Sequence, residues 1–436
     1  MMYFGTDGIR GVANQQITPE LAMRVGNALT RKTPHCRVVI GRDTRRSGSM
    51  LLHALAAGVM QGGGEVWDVD LMPTAAISYL TQQYHADFGV VISASHNPAE
   101  YNGIKLFDAD GRKPEAEVEE QVEAYMAQPL SVQAESIGTY RFVHDAEQTY
   151  CQHLIACGGS LRGKRILLDC ANGAAGKIAP QVMRALGAQV DALYTSDSGL
   201  DINDNCGALY PALLSERVRK GGYDMAFAFD GDSDRVIALD ENGTIVDGDE
   251  ILYILTRAYV AAGLLTTPLV VGTHHTNQGI VNALQQVGVK VLRADIGDKY
   301  VMRAMLHTGA QLGAEQSGHV ILGDKANTGD GILTAVVLAS CVSTSGATLG
   351  QCNDAQLYPQ CNRNIVVRDR MRIINNTDLS DLLQQCRKKL GSRGRILVRA
   401  SGTEEKIRIM AECVTQEEAD KTCAEIADFV LKLEEE

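Results

Sequence analysis

Residues 37–70, RVVIGRDTRRSGSMLLHALAAGVMQGGGEVWDVD, contain the pattern that decides the fold. A short apolar run is followed by a longer helix-forming run and then by a second short run, which predicts a strand, a helix and a strand. PTAAISYLTQQY at 73–84 and FGVVIS at 88–93 continue the alternation as a helix and a strand. Such alternation predicts an α/β layer with largely parallel strands.

The alternation restarts twice further along the chain. KRILLDC at 164–170 opens a second unit and PLVVGT at 268–273 opens a third. Beyond a break near residue 360, strands and helices alternate over a shorter stretch. The sequence therefore predicts three similar α/β domains followed by a smaller fourth domain. The predicted boundaries are 1–155, 156–249, 250–360 and 361–436.

Composition argues against several classes of protein. The net charge of -12 over 436 residues gives a surface that repels nucleic acid. No apolar run reaches the roughly 20 residues that span a bilayer, and Asp7 and Arg10 stand where a signal peptide needs its apolar stretch. The 11 cysteines lack C-x-x-C spacing, which favours reduced thiols. We therefore expect a cytoplasmic protein that binds neither nucleic acid nor membranes.

In each of the first three predicted domains a polar, glycine- or serine-bearing loop follows an apolar strand. Four polar residues, each in a loop of a different domain, are Ser95, Asp230, Glu315 and Ser401. Open α/β sheets bind ligands at the carboxyl ends of their strands. We therefore expect the four loops to form the walls of one central cleft.

The stretch AFAFDGDSDRV carries Asp230, Asp232 and Asp234 at alternate positions, which point to one face of an extended chain. Carboxylates about 4 Å apart repel by about 4 kcal/mol per pair at an effective dielectric constant of about 20, so the cluster needs a cation. All-oxygen ligands favour Mg²⁺ or Ca²⁺. An EF-hand is excluded because Arg235 occupies its glycine position and the flanking runs are typical of strands.

The stretch VVISASHNP ends a predicted strand with two serines and a histidine. A Ser-His hydrolase is disfavoured because adjacent residues such as Ser95 and His96 point apart in a strand, and no G-x-S-x-G elbow is present. A serine at a strand end, opposite a bound cation, can instead carry a phosphoryl group. Ser93 lies on the same face as Ser95, so the choice between them stays open.

Three further loops carry groups suited to phosphates and sugars. In RASGTEEKIRIMAEC the hydroxyls and backbone N–H groups of the SGT triplet can wrap an anion that flanking arginines neutralise. GTDGIRG forms a glycine-flanked loop able to aim Arg10 at an anion. GAEQSGHVIL offers a carboxylate, a hydroxyl and an imidazole, a set able to hydrogen-bond sugar hydroxyls, at Glu315, Ser317 and His319.

Taken in order, GTDGIRG, SASHNP, DGDSDR, EQSGH and SGTE resemble the motifs of the α-D-phosphohexomutase superfamily, and the resemblance covers the chain end to end. It implies a C-terminal α+β domain with a TATA-binding-protein-like sheet. It also implies an isomerase that moves phosphate between the 6- and 1-positions of a hexose phosphate through a phosphoserine and a 1,6-bisphosphate. The EQSGH form favours glucosamine phosphate, a precursor of UDP-N-acetylglucosamine, over mannose or glucose phosphate.

The resemblance also implies a role for each matched residue. Phosphorylated Ser95 and the three aspartates of the DGDSDR motif are the implied ligands of one Mg²⁺. The other implied catalytic residues are Arg10, Lys105, Arg235 and His319. The implied substrate contacts are His96, Glu315, Ser317, Arg399, Ser401, Gly402, Thr403 and Arg408. Positions that depart from the superfamily pattern are Lys299, Ala314 and Glu405.

Two other classes of function stay open from sequence. A metal-dependent sugar phosphatase would use an aspartate nucleophile and would stay active without Ser95. A non-catalytic phosphosugar-binding protein would bind ligand and never become phosphorylated. Either class, like a mutase, acts on small molecules, and a homodimer is compatible with the sequence.

Overall fold

The computed structural model describes residues 3–5, 7–132, 136–401 and 404–435. By its internal contacts the chain divides into two compact units. The first unit consists of Met1–Thr273 and Val289–Asp354, and the second of His274–Gly288 and Ala355–Glu436. A segment between two strands of the first unit therefore packs as part of the second.

The first unit begins with a six-stranded sheet. Its strands are β1 (Ile9–Val12), β2 (Arg37–Arg42), β3 (Glu65–Leu71), β4 (Phe88–Ile92), β5 (Tyr101–Phe107) and β6 (Thr139–Phe142). They lie in the order β1-β5-β4-β2-β3-β6, with β5 antiparallel to both neighbours and the other pairs parallel. The helices of this region are α1 (Pro19–Lys32), α2 (Gly48–Gln61), α3 (Thr74–Gln83), α4 (Ala116–Met126) and α5 (Ala146–Cys157). The alternation predicted for residues 37–93 is confirmed.

One prediction about the N-terminal segment is wrong. Arg10 was expected in a glycine-flanked loop, whereas it lies on β1, where it is paired with Gly103 of β5. Glycine has no side chain to reveal a strand face, so the GTDGIRG motif gave no apolar alternation by which to recognise this short strand.

A five-stranded sheet follows in the same unit. Its strands are β7 (Arg165–Asp169), β8 (Gln189–Leu193), β9 (Met225–Phe229), β10 (Val236–Leu239) and β11 (Ile245–Val246), and its helices are α6 (Ala175–Ala185) and α7 (Ala212–Gly221). The order is β11-β10-β9-β7-β8. β7 is parallel to β8 and β9, whereas β10 is antiparallel to β9 and β11. Every residue of β9 is buried, which explains its unbroken apolar sequence.

The third sheet of the unit has four strands. They are β12 (Leu269–Thr273), β13 (Lys290–Ala294), β14 (Leu312–Ala314) and β15 (Val320–Leu322), in the order β13-β12-β14-β15. Four helices occur in this region of the first unit, namely α8 (Gly248–Ala261), α10 (Asp298–Thr308), α11 (Gly331–Ser345) and α12 (Leu349–Cys352). α8 begins with a capping box in which Asp247 accepts from the backbone and Glu250 bonds back to it.

The second unit is built on an antiparallel sheet. Its strands β16 (Gln360–Val366), β17 (Gly394–Ala400) and β18 (Lys406–Cys413) lie in the order β16-β18-β17. Its helices are α9 (Gln278–Gln286), α13 (Arg370–Ile374), α14 (Thr377–Leu390) and α15 (Gln416–Glu435). The predicted fold class, α/β domains followed by a smaller α+β domain, is confirmed. The predicted domain boundaries stay predictions.

Among the described residues, no helix is both long enough and apolar enough to cross a bilayer.

Candidate active site

Ser95 lies just beyond the end of β4, fully buried, with its backbone in the left-handed region at a φ of 51°. Its Oγ donates to Asp230 Oδ2 at 2.7 Å. The Ser93 hydroxyl instead donates to Asp43 Oδ2 at 2.6 Å and accepts from the Ser95 amide at 2.9 Å. Of the two serines left open by the sequence, Ser95 is therefore the one whose hydroxyl faces the aspartates.

The prediction that Ser95 and His96 point apart is wrong. His96 Nδ1 lies 3.2 Å from Ser95 Oγ. The chain has left the strand by this point, and the left-handed backbone of Ser95 breaks the alternation that would separate neighbouring side chains. Burial, together with the charges of Arg235 and Arg10, lowers the pKa of His96 to about 4, so its imidazole is neutral and only a weak base at pH 7.

The three aspartates follow β9 directly, as predicted, but the segment is a turn and not an extended chain. The Ser233 amide donates to the Asp230 carbonyl at 3.0 Å, and Ser233 has a φ of 62°. Gly231 is required here, since a Cβ at this position would lie 2.7 Å from the Ser95 carbonyl oxygen. The turn thus brings the aspartates and the Ser95 loop into direct contact.

The aspartate cluster fits a divalent cation. One ligand oxygen from each of Asp230, Asp232 and Asp234 lies within 4.8 Å of the other two. Oδ1 of Asp232 and Oδ1 of Asp234 are buried and have no hydrogen-bond partner among the described residues. Burial, with the charges of Asp234 and Asp232, raises the pKa of Asp230 well above its usual range. A further positive charge is needed for all three carboxylates to ionise together.

Lys105 on β5 provides part of the charge that this cluster needs. Its side chain is buried, with Nζ 2.7 Å from Asp232 Oδ2 and 3.2 Å from Asp234 Oδ2. Asp7 Oδ2 lies 3.5 Å away. Burial works to lower the pKa of Lys105, but these carboxylates raise it well above its ordinary value. One ammonium group is therefore shared among several acidic side chains.

Two predicted arginines border the same group of residues. Arg10 donates from NH1 to Asn97 Oδ1 at 3.1 Å and forms an ion pair with Asp7. Arg235 donates its backbone N–H to Asp230 Oδ1 at 3.1 Å, and its Nε is 3.8 Å from Asp234 Oδ1. The Nε atoms of both arginines are buried without a hydrogen-bond partner in the described part of the chain.

The EQSGH loop follows β14, as predicted. Glu315 Oε1 accepts from the Gly297 amide at 2.9 Å, and Ser317 is exposed. Gln316 contacts the first residue of α8, because its backbone carbonyl accepts from the Gly248 amide at 3.1 Å. Gln316 therefore ties the loop to the start of α8.

His319 is buried at the end of this loop and lies against the aspartate cluster. Its Nδ1 is 3.9 Å from Asp234 Oδ1, and its Nε2 accepts from the Gly329 amide at 3.1 Å. Burial works to lower the pKa of His319, but Asp234 and then Asp298 raise it. The contacts fix the orientation of the imidazole, and its catalytic role stays a prediction.

The second unit carries the residues predicted to hold a phosphate. Arg399 and Arg408 are paired across β17 and β18, with both Nε atoms buried and unpartnered among the described residues. Arg408 NH2 lies 3.4 Å from Ser401 Oγ. Burial and the charge of Arg408 lower the pKa of Arg399. Arg408 also forms an ion pair with Glu404 at 3.5 Å. Two adjacent guanidinium groups with this one carboxylate leave a net positive charge, which suits an anion. Gly402 and Thr403 lie outside the described residues.

A cavity of about 210 Å³ adjoins these arginines. It is also lined by Asn362, Asn364 and His275, three residues that the sequence analysis did not identify. His275 is held on this unit because Arg395 donates to its carbonyl at 3.2 Å. Nothing in its local sequence indicates this, since the segment follows β12 of the other unit.

Several other charged residues of the site also escaped the sequence analysis. Lys113 forms ion pairs with both Asp7 and Asp298, and Asp43 forms one with Arg45. Asp43 and Arg45 follow β2 in the same way that Ser95 follows β4. The rule that selected the other loops, a polar residue just after an apolar strand, would have found them.

Ser95 Oγ can accept a phosphoryl group, and it lies 2.7 Å from a carboxylate of a cluster able to hold a cation, so the site suits metal-assisted phosphoryl transfer. The chain belongs to the phosphoglucomutase/phosphomannomutase family. Sequence models of its alpha/beta/alpha domains I, II and III and of its C-terminal domain match residues 1–132, 148–243, 247–358 and 364–429.

Relatives and solved structures agree with this assignment. The phosphoglucosamine mutase of Symbiobacterium thermophilum is 43% identical over 439 residues, covering 98% of each chain. The solved structure of a phosphoglucomutase/phosphomannomutase family protein from Burkholderia thailandensis has a TM-score of 0.83 at 22% identity, covering 100% of this chain and 97% of that one. The Aspergillus fumigatus N-acetylphosphoglucosamine mutase, solved with GlcNAc-6P and magnesium, has a TM-score of 0.71 at 19% identity, covering 100% and 96%.

Proposed function

We propose that the protein is an isomerase that interconverts glucosamine 6-phosphate and glucosamine 1-phosphate through a phosphorylated Ser95 and a 1,6-bisphosphate. The observation that carries the proposal is the 2.7 Å hydrogen bond from Ser95 Oγ to Asp230 Oδ2, which puts a hydroxyl beside the aspartate cluster. The choice of sugar is supported by the relatives named phosphoglucosamine mutase, which are between 40% and 43% identical to the chain.

Ser95 is the carrier of the phosphoryl group in this proposal. In the first half of the cycle the bond from phosphorus to Ser95 Oγ breaks while a bond from phosphorus to the free sugar hydroxyl oxygen forms. The proton of that hydroxyl ends on Ser95 Oγ, which becomes a free hydroxyl again. The 1,6-bisphosphate then turns and returns its other phosphoryl group to Ser95 Oγ. Each turnover restores the phosphoserine. The next cycle therefore needs no separate phosphoryl donor.

The aspartate cluster is the proposed cation site. Asp230, Asp232 and Asp234, together with an oxygen of phosphorylated Ser95, would hold one Mg²⁺, which suits ligands that are all oxygen. When bound, the ion would neutralise charge on the transferring phosphoryl group. Lys105 keeps a proton at Nζ beside two of these carboxylates, and we assign to it, as a proton donor, the role of assisting proton transfer from the reacting sugar hydroxyl to Ser95 Oγ.

Other residues hold and orient the substrate. Arg10 and Arg235 stabilise the negative charge of the transferring group. Glu315 and Ser317 hydrogen-bond the sugar hydroxyls, with His319 and His96 beside them. The phosphate that is not being transferred is held by Arg399, Ser401, Gly402, Thr403 and Arg408.

A panel of phosphosugars tests this proposal directly. Purified protein should turn over glucosamine 6-phosphate with a kcat/KM at least about tenfold higher than that for mannose 6-phosphate or glucose 6-phosphate, because a site that hydrogen-bonds an amino group loses those bonds with the other sugars. The measurement is initial rates for each sugar at saturating magnesium, with inorganic phosphate assayed in parallel.

Three outcomes would refute the proposal, each in a different way. A preference for mannose or glucose phosphate would make the protein a phosphomannomutase or phosphoglucomutase. Release of inorganic phosphate at the turnover rate would make it a metal-dependent phosphatase. Binding without turnover of any sugar would make it a phosphosugar-binding protein. A cytoplasmic location and a homodimer are compatible with an enzyme that acts on small metabolites, and both stay predictions.

A further inference from the structure

The loop that carries Ser95 has a backbone that must be held in place. β4 ends at Ile92, and Ser95 then adopts a φ of 51°, in the left-handed region. This conformation costs energy for any residue with a Cβ atom and persists where surrounding contacts enforce it. That backbone conformation sets the direction of the Ser95 Cα–Cβ bond. It therefore also sets the position of Ser95 Oγ beside Asp230.

Arg45 makes most of those contacts. Arg45 is 1% exposed, and its guanidinium group donates from Nη2 to the carbonyls of Ser95 at 2.8 Å and Asn97 at 2.7 Å. From Nη1 it donates to the carbonyl of Tyr101 at 2.9 Å and to that of Pro98. One planar fork of donors therefore fixes four carbonyls of a single short loop, a task for which arginine geometry is suited and lysine geometry is not.

Asp43 links the same guanidinium group to the other side of Ser95. It accepts from Arg45 Nε at 2.9 Å and from the Ser93 hydroxyl at 2.6 Å, and neither Arg45 nor Asp43 has an exposed side chain. Ser93 Oγ in turn accepts from the Ser95 amide at 2.9 Å. The carbonyl and the amide of Ser95 are thus both tied to one ion pair.

Stability alone does not explain a fully buried ion pair. Apolar residues of similar volume are often as stabilising, because two charges lose their hydration on burial. Arg45 donates to carbonyls of the loop that carries Ser95, and Asp43 accepts from the Ser93 hydroxyl. Because both members of the pair contact this loop, the position of the pair points to a role in the reaction.

A second residue, in the turn segment between β8 and α7, supports the same loop. Asn203 Nδ2 donates to the carbonyl of Ser95 at 2.9 Å and to that of Asn97 at 3.0 Å. These are two of the carbonyls that Arg45 also binds. Asn203 gives an independent way to loosen the loop while the Arg45–Asp43 pair stays intact.

We propose that Arg45, paired with Asp43, is a positioning residue that aims Ser95 Oγ for phosphoryl transfer. The inference rests on the proposed function, in which Ser95 carries the phosphoryl group. Within the described part of the chain, the Arg45 side chain hydrogen-bonds Asp43 and the carbonyls of the Ser95 loop, and it hydrogen-bonds neither the Asp230–Asp234 cluster nor a predicted substrate contact. Its loss should therefore slow transfer and leave substrate affinity unchanged.

Arg45→Lys tests the inference, because it keeps the positive charge beside Asp43 and removes the fork. The protein is phosphorylated with glucosamine 1,6-bisphosphate, freed of it, and mixed with glucosamine 6-phosphate in a single turnover. We expect the transfer rate per phosphorylated site to fall about a hundredfold, as for a reacting group displaced by about 1 Å. The Kd for glucosamine 6-phosphate, measured by calorimetry, should stay within about threefold of the unmodified protein.

The matched control is Arg42→Ala in the same segment. Arg42 binds Asp70 Oδ1 at 2.6 Å and donates to the backbone carbonyl of Asp43 at 3.2 Å, and its side chain has no hydrogen bond to residues 93–101, all of which the structure describes. Its variant leaves the Asp43 carboxylate and Arg45 in place and should keep the full transfer rate. If Arg45→Lys does not fold, Asn203→Ala should show the same pattern with a loss of about tenfold, the effect of about 1.4 kcal/mol.

The possible results separate this inference from the proposed function. A purely structural role for Arg45 would lower the fraction of phosphorylated sites and leave the rate at the remaining sites unchanged, which would overturn the inference. A normal transfer rate in the Asn203→Ala protein would count against it equally. If the unmodified protein itself passed no phosphate from Ser95 to the sugar, the proposed function would fail and the inference with it.

Discussion

Replacing Ser95 with alanine is expected to lower turnover of glucosamine 6-phosphate by about a thousandfold or more, the size of loss seen when a covalent nucleophile is removed. The buried hydroxyl that donates to Asp230 Oδ2 at 2.7 Å would be absent, and no phosphoserine could form at this position. The measurement is kcat with magnesium and activating bisphosphate present. Binding of glucosamine 6-phosphate should persist, because the predicted substrate contacts are retained.

Ser93→Ala is the comparison that makes this result specific. The Ser93 hydroxyl is hydrogen-bonded to Asp43 and to the Ser95 amide, and it does not face the Asp230–Asp234 cluster. The substitution therefore removes two hydrogen bonds and leaves the nucleophile in place. We expect a loss of roughly tenfold, with the phosphate still on Ser95. A Ser95→Ala protein with full activity, or a Ser93→Ala protein that cannot be phosphorylated, would show that the wrong serine had been assigned.

Removal of the metal is expected to have an effect of similar size. EDTA should abolish turnover, and Mg²⁺ should restore it, because three carboxylates lie within 4.8 Å of one another and repel each other, and their oxygens are the ligands that Mg²⁺ prefers. Asp232→Asn, which removes one of these charges, should weaken Mg²⁺ binding by at least about tenfold, as measured by calorimetry independently of activity.

Asp240→Asn is the matched control for the metal site. Asp240 is a buried aspartate near the end of β10 that accepts from the Asn242 amide at 2.9 Å and the Thr244 amide at 2.7 Å, and asparagine can keep both bonds. Its Mg²⁺ affinity should equal that of the unmodified protein. Full activity in excess EDTA would show that the reaction needs no metal ion.

Local sequence patterns were sufficient for the order of strands and helices and for the grouping of the aspartates. β4 and β9 are buried along their whole length, so they stand out as unbroken apolar runs that stop at a polar residue. Asp230, Asp232 and Asp234 fall within five residues, and chain connectivity keeps them close. Their grouping was therefore predicted correctly although the backbone is a turn and not a strand.

Contacts between distant segments could not be predicted in the same way. Arg45 and Ser95 are 50 positions apart, and Asn203 approaches Ser95 from 108 positions further along the chain. The left-handed backbone of Ser95 carries no glycine to mark it, so strand alternation gave the wrong direction for His96. His275 was missed for a related reason, because its segment packs with the second unit and not with the strand that precedes it.

The most direct test of the account is to follow the phosphate itself. Protein phosphorylated on Ser95 is mixed with an equal amount of glucosamine 6-phosphate, quenched over time, and examined by peptide mass spectrometry for the serine and by ³¹P NMR for the sugar. Phosphate should leave Ser95 and appear first in the 1,6-bisphosphate. Glucosamine 1-phosphate and restored phosphoserine should then follow. Phosphate found on Ser93, or released as inorganic phosphate while no bisphosphate forms, would contradict this prediction.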